Sequence, residues 1–550
     1  MFYCTYDAAA RMALSMRPVV LRLQVCFLLS LLSGMLVSCM VGPDFRSPHG
    51  PQEDTYTEDP KPLNTIHIKN LGQAGRTQHF LYCKDIPGLW WYLFQSPELN
   101  ELIEQGLAHN STVAAAKAAL LQAQENWYAQ VGSTLLPNFS GAFMGERLLP
   151  NNANLGAPGG LVNNPFNLFN ASINVSYTLD VFGGLRRQIE ALGAQVNFQQ
   201  FQLEAAYLTL TANIVTTAIA IASLRDQIKA THQIIYIQKE NLRILEKQYA
   251  LGGISLTNVL TQRSQVAQIE ATLPPLQQNL VQNYHALSVL IGTLPSENHL
   301  PRFDLDKLHL PTELPVSIPS LLIRQRPDIR ASEALLHAAS AQIGVATANL
   351  FPQITLNGSY GWEATVLSQL FKASNVFWNW GGTITAPLFN GGALFAQRRA
   401  AMDAFEQAAA QYRQTVLQGF QNVADTLRAL QHDAATLKAQ REAENAAKGS
   451  LDLTMQQFKL GGVNYLALLI AQQLYHQSYI LRIRAQAARY SDTAALFQAL
   501  GGGWWNRLPI EEHPNLTRNM CQYTMENVLR KDPRPTPCVK LSPLPVLEVE

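Results

Sequence analysis

The side chain best suited to covalent chemistry in this 550-residue sequence is Cys39. It closes the run Leu36-Val37-Ser38-Cys39, which resembles a bacterial lipobox: Leu three residues before, a small residue just before, then a thiol that accepts diacylglycerol. The apolar stretch from Val25 to Val37, preceded by Arg11, Arg17 and Arg22, reads with it as an export signal over residues 1–38. Its charged region is long, so translation from Met12 or Met16 is an alternative start. Met rather than Asp at position 40 implies, by the sorting of bacterial lipoproteins, delivery to the outer membrane. Elsewhere the reactive residue types do not converge. The sequence has no nucleophile elbow, no phosphate-cradling glycine loop, no His-x-x-x-His and no paired carboxylates. His337 and His476 lie on helical patterns without a partner, and no Cys/His spacing suits a metal. The reading is a non-enzyme with no cofactor and no metal. Cys83, Cys521 and Cys538 would remain in an oxidising compartment, and spacing leaves their pairing open.

The elements that must position this anchor come in two copies. Leu251-Gly252-Gly253 recurs as Leu460-Gly461-Gly462, from 251 to 460. Such repeats fix architecture before any other signal. Ahead of the first turn, apolar residues recur every seventh place at Tyr207, Ile214, Ile221, Ile228, Ile235, Leu242 and Tyr249. The matching stations in the second copy are Val416, Val423, Leu430, Leu437, Glu444, Leu451 and Phe458, with Glu444 the exception. Each half is therefore built on one long helix whose stations pack knobs-into-holes. The first, Gly184 to Leu251, would run roughly 100 Å at 1.5 Å per residue. The chain divides into the signal (1–38), a Pro-rich extended tether (39–97), repeat 1 (98–292), a Pro-rich linker (293–320), repeat 2 (321–505) and a tail (506–550). Net charge is +1, which gives nucleic acid no foothold.

Each repeat carries two short alternating stretches between a shorter helix and the long one. Helical pattern runs from near Pro97 to Leu136, and from about Ile323 to Leu350. Return helices follow the turns, from about Leu256 to Ile291, interrupted at Pro274-Pro275, and on to Leu500. The strands are expected at Asn138–Glu146, Ala171–Leu179, Gln353–Trp362 and Trp378–Pro387. In the second, Ile173, Val175, Tyr177 and Leu179 alternate with Ser172, Asn174, Ser176 and Thr178. One apolar face, one small polar face and aromatic ends suit a transmembrane β-barrel. Four strands cannot close one, and lipid tolerates no open edge. Copies of the chain must share the barrel, and three would give twelve strands.

Four passages resemble the TolC-like outer-membrane factor family, most closely the lipidated channels of resistance-nodulation-division efflux pumps. They are Ser38-Cys39-Met40-Val41-Gly42-Pro43-Asp44-Phe45; Arg326-Pro327-Asp328-Ile329-Arg330 leading to Leu350-Phe351-Pro352; Pro387-Leu388-Phe389-Asn390-Gly391-Gly392, echoed by Leu179-Asp180-Val181-Phe182-Gly183-Gly184; and Ala499-Leu500-Gly501-Gly502-Gly503-Trp504. The resemblance implies a membrane α+β fold: a homotrimeric twelve-stranded barrel in the outer membrane, continued by an α-helical barrel across the periplasm. An equatorial belt would come from the linker and both chain ends. Its partners would be outer-membrane lipid, a periplasmic adaptor and an inner-membrane pump, with the adaptor docking at Gly252, Gly253, Gly461 and Gly462. Relatives often carry Asp after the second turn and near the Leu-Leu-x-Ala-Gln stretch, where this sequence has Val463 and Ile470. Asp452 resembles an acidic constriction position in some relatives, and Asn464 lies beside the same mouth. The function implied is a passive exit duct of a tripartite efflux system. Alternatives are the outer channel of a type I protein secretion system, a metal-ion efflux duct, or a lipid-anchored coiled-coil scaffold.

Overall fold

The structure is a computed structural model describing residues 40–50, 55–58, 61, 63–149, 165–297 and 300–507. Cys39 and the tail from residue 508 lie outside the described residues. Chain order gives β1 (His79–Tyr82), α1 (Pro97–His109), α2 (Ser111–Leu135), β2 (Asn138–Leu148), β3 (Phe166–Leu179), α3 (Gly184–Ala250), α4 (Leu256–Glu270) and α5 (Leu273–Leu290). The second half holds β4 (Glu313–Val316), α6 (Pro319–Gln325), α7 (Pro327–Ala348), β5 (Gln353–Ala364), β6 (Val376–Thr385), α8 (Ala393–Lys459) and α9 (Tyr465–Ala499).

Local chemistry sets most of these boundaries. The helix expected from Pro97 to Leu136 is two helices, because Asn110 takes an extended backbone and caps the second. Its Oδ1 accepts from the Thr112 and Val113 amides at 2.9 and 3.2 Å, while its Nδ2 donates to the Leu290 carbonyl at 3.0 Å. The stretch from Ile323 to Leu350 likewise divides at Arg326, the residue before Pro327, which proline pushes out of helical geometry. Pro274 and Pro275 sit in the first turn of α5, where a missing amide costs no helical bond. The return helix of the first repeat is thereby split, whereas its counterpart α9 is continuous. The last strand ends at Thr385 rather than Pro387, since proline brings no amide to the ladder. The second strand begins at Phe166, earlier than expected, because Phe166-Asn167-Leu168-Phe169-Asn170 breaks strict alternation.

β2, β3, β5 and β6 form one antiparallel sheet in that order, leaving β2 and β6 as open edges. The first long helix packs against partners from both halves, α7, α2, α9 and both return-helix segments, and α8 packs against α9 and α7 of its own half. Stations Tyr207, Ile214, Ile221, Val423, Leu430 and Leu437 are buried, while Tyr249 beside the first turn is exposed.

The stretches expected as tether and linker are more ordered than their proline content suggests. β1 and β4 pair in parallel from His79↔Glu313 to Tyr82↔Val316. Ile86, Trp90, Trp91 and Phe94 from the first stretch join Phe303, Leu305, Leu308 and Leu310 from the second in the main core, against Tyr490, Phe497 and Leu500. Fully buried Arg489 of α9 fastens this belt. It donates to Ala74 O (2.6 Å), Arg76 O (2.7 Å), Thr65 Oγ1 (2.9 Å) and Gln78 Oε1 (3.2 Å).

Candidate functional site

Two places in the fold do work that packing alone does not require: the faces of the four-stranded sheet and the turns at the far end of the long helices. The strand register aligns like with like across all four strands. Phe139, Val175, Gly358 and Trp380 form one row, and Gly141, Ile173, Tyr360 and Trp378 the next. On the other face Ser140, Asn174, Ser359 and Asn379 share a row, as do Asn138, Ser176, Asn357 and Gly381. Hydrogen bonds cross strands on that face, from Ser176 Oγ to Asn357 Oδ1 (3.1 Å) and from Ser359 Oγ to Asn379 Oδ1 (3.0 Å). On the apolar face Phe139, Phe143, Ile173, Tyr360, Trp378, Trp380 and Ile384 are exposed. A one-residue slip would mix the faces, so the register itself carries the two-sided character. Water would strand these rings, whereas a bilayer accepts them, with aromatics toward the interfaces.

The turns are two copies of one closure. Gly252 donates to Tyr249 O at 2.9 Å and Gly253 to Gln248 O at 2.8 Å; Gly461 donates to Phe458 O at 3.1 Å and Gly462 to Gln457 O at 2.8 Å. This is the Schellman pattern, which satisfies the last helical carbonyls. Gly252 and Gly461 have φ of +77° and +75° with open space around them, so conformation rather than crowding demands glycine there. Leu251 and Leu460 are each 87% exposed, and Lys247 and Lys459 stand in the last helical turns. Asn464, expected at the constriction, caps α9: its Oδ1 accepts from the Ala467 amide at 3.0 Å. Asp452 is exposed on α8 two turns from Leu460.

Above the turns lies a buried polar relay. The Tyr465 hydroxyl of α9 donates to Gln262 Oε1 of α4. Gln262 Nε2 donates to Gln238 Oε1 of α3 at 2.7 Å, and Gln238 Nε2 donates to Gln472 Oε1, back on α9, at 2.8 Å. The three glutamines are buried, and burial raises the Tyr465 pKa, so all four groups stay neutral. The relay joins the hairpin of repeat 1 to the return helix of repeat 2. Its residues were not singled out as functional by sequence, although Gln472 closes the Leu-Leu-x-Ala-Gln stretch. A buried glutamine on an otherwise apolar helix face was the available signal.

Two charged features lie farther from the turns along α8 and α9. Glu444 occupies its station in the second long helix because two guanidiniums neutralise it: Arg441 Nη1 at 2.8 Å and Arg482 Nε at 3.2 Å. Asp433 of α8 is pushed up to about 7, chiefly by burial, then by the hydrogen bond and charge of Asp492 on α9, with Arg489 opposing. His337, partnerless in the sequence reading, meets Glu190 Oε1 at 2.9 Å and stacks on Phe45. Among the described residues no three His, Cys, Asp or Glu side chains gather closely enough to hold a metal ion.

Comparison with known proteins agrees with this architecture. Residues 102–293 and 318–502 match the family model for outer membrane efflux proteins. The pyoverdine export outer membrane protein OpmQ of Pseudomonas aeruginosa is 28% identical over 417 residues, covering 76% of this chain and 87% of that protein. A probable outer membrane lipoprotein, SilC of Salmonella typhimurium, is 27% identical over 429 residues, covering 76% and 88%. The solved structure of the outer-membrane channel OprN superimposes with a TM-score of 0.75 at 25% identity, covering 85% of this chain and all of that one. Members of the family are trimeric channels that work with an adaptor and an inner-membrane pump. The chain belongs to the outer membrane efflux protein family, as an outer-membrane channel subunit of a tripartite efflux system that lends four strands to a twelve-stranded barrel shared by three copies.

Proposed function

We propose that the channel is a passive duct whose periplasmic mouth is both docked and gated at the paired hairpin turns, without catalysis of its own. The observation that supports this best is the duplicated turn, where Leu251-Gly252-Gly253 and Leu460-Gly461-Gly462 set bare leucines beside lysines at the ends of two otherwise well-packed long helices. A periplasmic adaptor presenting a small apolar face rimmed by carboxylates would complement both turns. An inner-membrane pump would then supply the driving force. The neutral Gln238–Gln262–Tyr465–Gln472 relay would hold the two hairpins together at rest, and docking would compete with it. Asp452 from three copies would make an acidic ring favouring cations, with Asn464 fixing where α9 begins at the mouth.

Cysteine at Leu251 or Leu460 should cross-link to the adaptor in cells, and Leu251→Arg with Leu460→Arg should abolish efflux while leaving the trimer intact. Full efflux from the double arginine variant would remove the turns from the docking surface.

A further inference from the structure

The segment just after Cys39 is seated in a socket rather than trailing as a leash. The Val41 amide donates to the Phe182 carbonyl at 3.1 Å, where β3 hands over to α3. Arg187, in the first turn of α3 and 1% exposed, turns its guanidinium onto this segment. Nη2 donates to Asp44 Oδ1 at 2.7 Å and to Gly42 O at 3.4 Å, Nε donates to Val41 O at 3.4 Å, and Nη1 is held by Glu190 Oε2 at 2.7 Å. Glu190 in turn meets His337 of α7, whose ring stacks on Phe45 at 4.4 Å and 12°. Gly42 lies so close to α7 that a Cβ there would sit 2.4 Å from Gly344 Cα, and a Cβ on Gly344 would sit 2.7 Å from Arg187 Cγ. Met40 fills the space against Gly183, where a Cβ would come within 2.5 Å of Met40 Cγ.

This socket lies between the halves: Arg187 and Glu190 belong to repeat 1, His337 and Gly344 to repeat 2. The two repeats differ there in an instructive way. Phe182, in the first copy of the junction motif, stacks on Phe351 at 4.7 Å beside the seated segment. The second copy, Leu388 and Phe389, is 94% and 92% exposed, with no such segment across it among the described residues. The strap therefore lies across a seam between the repeats that is closed within a single chain.

We infer that Arg187 is the receptor for the chain's own mature N-terminus, and that seating residues 40–45 locks the two repeats together at the base of the sheet. Arg187 is a positioning residue in this sense: its buried charge is satisfied only when the strap brings Asp44 and two carbonyls to it, beside the fixed Glu190. A guanidinium stripped of those partners would keep Glu190 alone, so an unseated strap leaves the junction weakened. The lock also bears on the signal, on the reading of Cys39 as the anchored residue. Cys39 is one peptide unit, about 3.8 Å between Cα atoms, from Met40. An uncleaved signal held in the inner membrane would lie beyond the far end of α3, roughly 100 Å away. A chain with its sheet in the outer membrane and this segment seated therefore cannot still carry a signal held in the inner membrane.

Gly42→Val in the full-length protein tests the lock. It lies on the strap, so the helices fold regardless, yet its φ of +96° and the 2.4 Å approach to Gly344 forbid the seated conformation. Arg187→Met attacks the same contact from the other side. In both variants the N-terminal peptide should carry the same acyl modification as in the wild type. Hydrogen exchange at the Val41 amide should accelerate at least about tenfold, and the assembled oligomer should dissociate in detergent at a lower temperature. Wild-type exchange in Gly42→Val would show that the strap does not need the socket. Faster exchange with unchanged heat resistance would show that seating the strap locks nothing. Either result overturns the inference. Neither readout depends on conductance, so failure of the channel reading would register separately.

Discussion

Gln262→Met is the substitution that most sharply tests how the two hairpins are coupled. Methionine matches glutamine in length and fills the same space, so the cavity contribution is small. What disappears is polar: the donor to Gln238 Oε1 at 2.7 Å, the donor to Gln238 O at 2.9 Å, and the acceptor of the Tyr465 hydroxyl. Both Gln238 contacts lie within the first hairpin, so what is lost between hairpins is the Tyr465 bond at about 1 kcal/mol, with the orphaned hydroxyl adding roughly another, about 2 kcal/mol in all. At 1.4 kcal/mol per decade this shifts the balance between joined and parted hairpins by about thirtyfold. Tyr465→Phe removes a single bond and should give about a fivefold shift. The assay is single-channel recording in planar bilayers, paired with hydrogen exchange over residues 465–472. Gln262→Met should raise open time and exchange together, Tyr465→Phe less so. Wild-type conductance and exchange in Gln262→Met would refute the idea that this relay holds the hairpins.

The remaining expectations concern charge and facing. Asp433, with its folded pKa raised to about 7 from an ordinary 3.8, holds a proton that the unfolded chain has already released between those values. Stability therefore falls as pH rises through that window and levels off above it, and Asp433→Asn should flatten the slope in thermal unfolding followed from pH 4 to 8. Glu444→Ala leaves Arg441 and Arg482 facing each other without their shared anion. It should destabilise the α8–α9 pair by about 3 kcal/mol, read as a lower temperature of helix unfolding. Trp380→Lys places a charge on the lipid-facing row and should reduce barrel assembly, at a cost of about 2–4 kcal/mol if it lies near the midplane. Asn379→Lys, on the neighbouring polar face, should assemble normally and shift ion selectivity toward anions.

The sequence exposed what is periodic and hid what is not. Long helices, paired turns and the two faces of the sheet all follow from repeated spacing, so Leu251 and Leu460, or Ile173 and Val175, could be placed before any coordinates. Trp90, Trp91 and Phe94 were hidden because a belt wrapped around helices has no period; its order comes from distant partners such as Phe303 and Phe497. Asn110 was misjudged as mid-helix because its capping role depends on the Leu290 carbonyl, distant in sequence. The Arg187 socket and the glutamine relay were invisible for the same reason: each draws members from three or four separate segments. Glu444 was legible as an exception but not explicable until Arg482 came beside it.

The central claim is that alternate side chains of four strands meet lipid, so that no single copy can seal itself. Native mass measurement of the lipidated protein in detergent, combined with bilayer conductance of the same sample, tests it most directly. Three copies per particle with a steady, water-filled conductance is the expected result. A single-copy particle that stays soluble once its acyl chains are removed, and that conducts nothing, would contradict it.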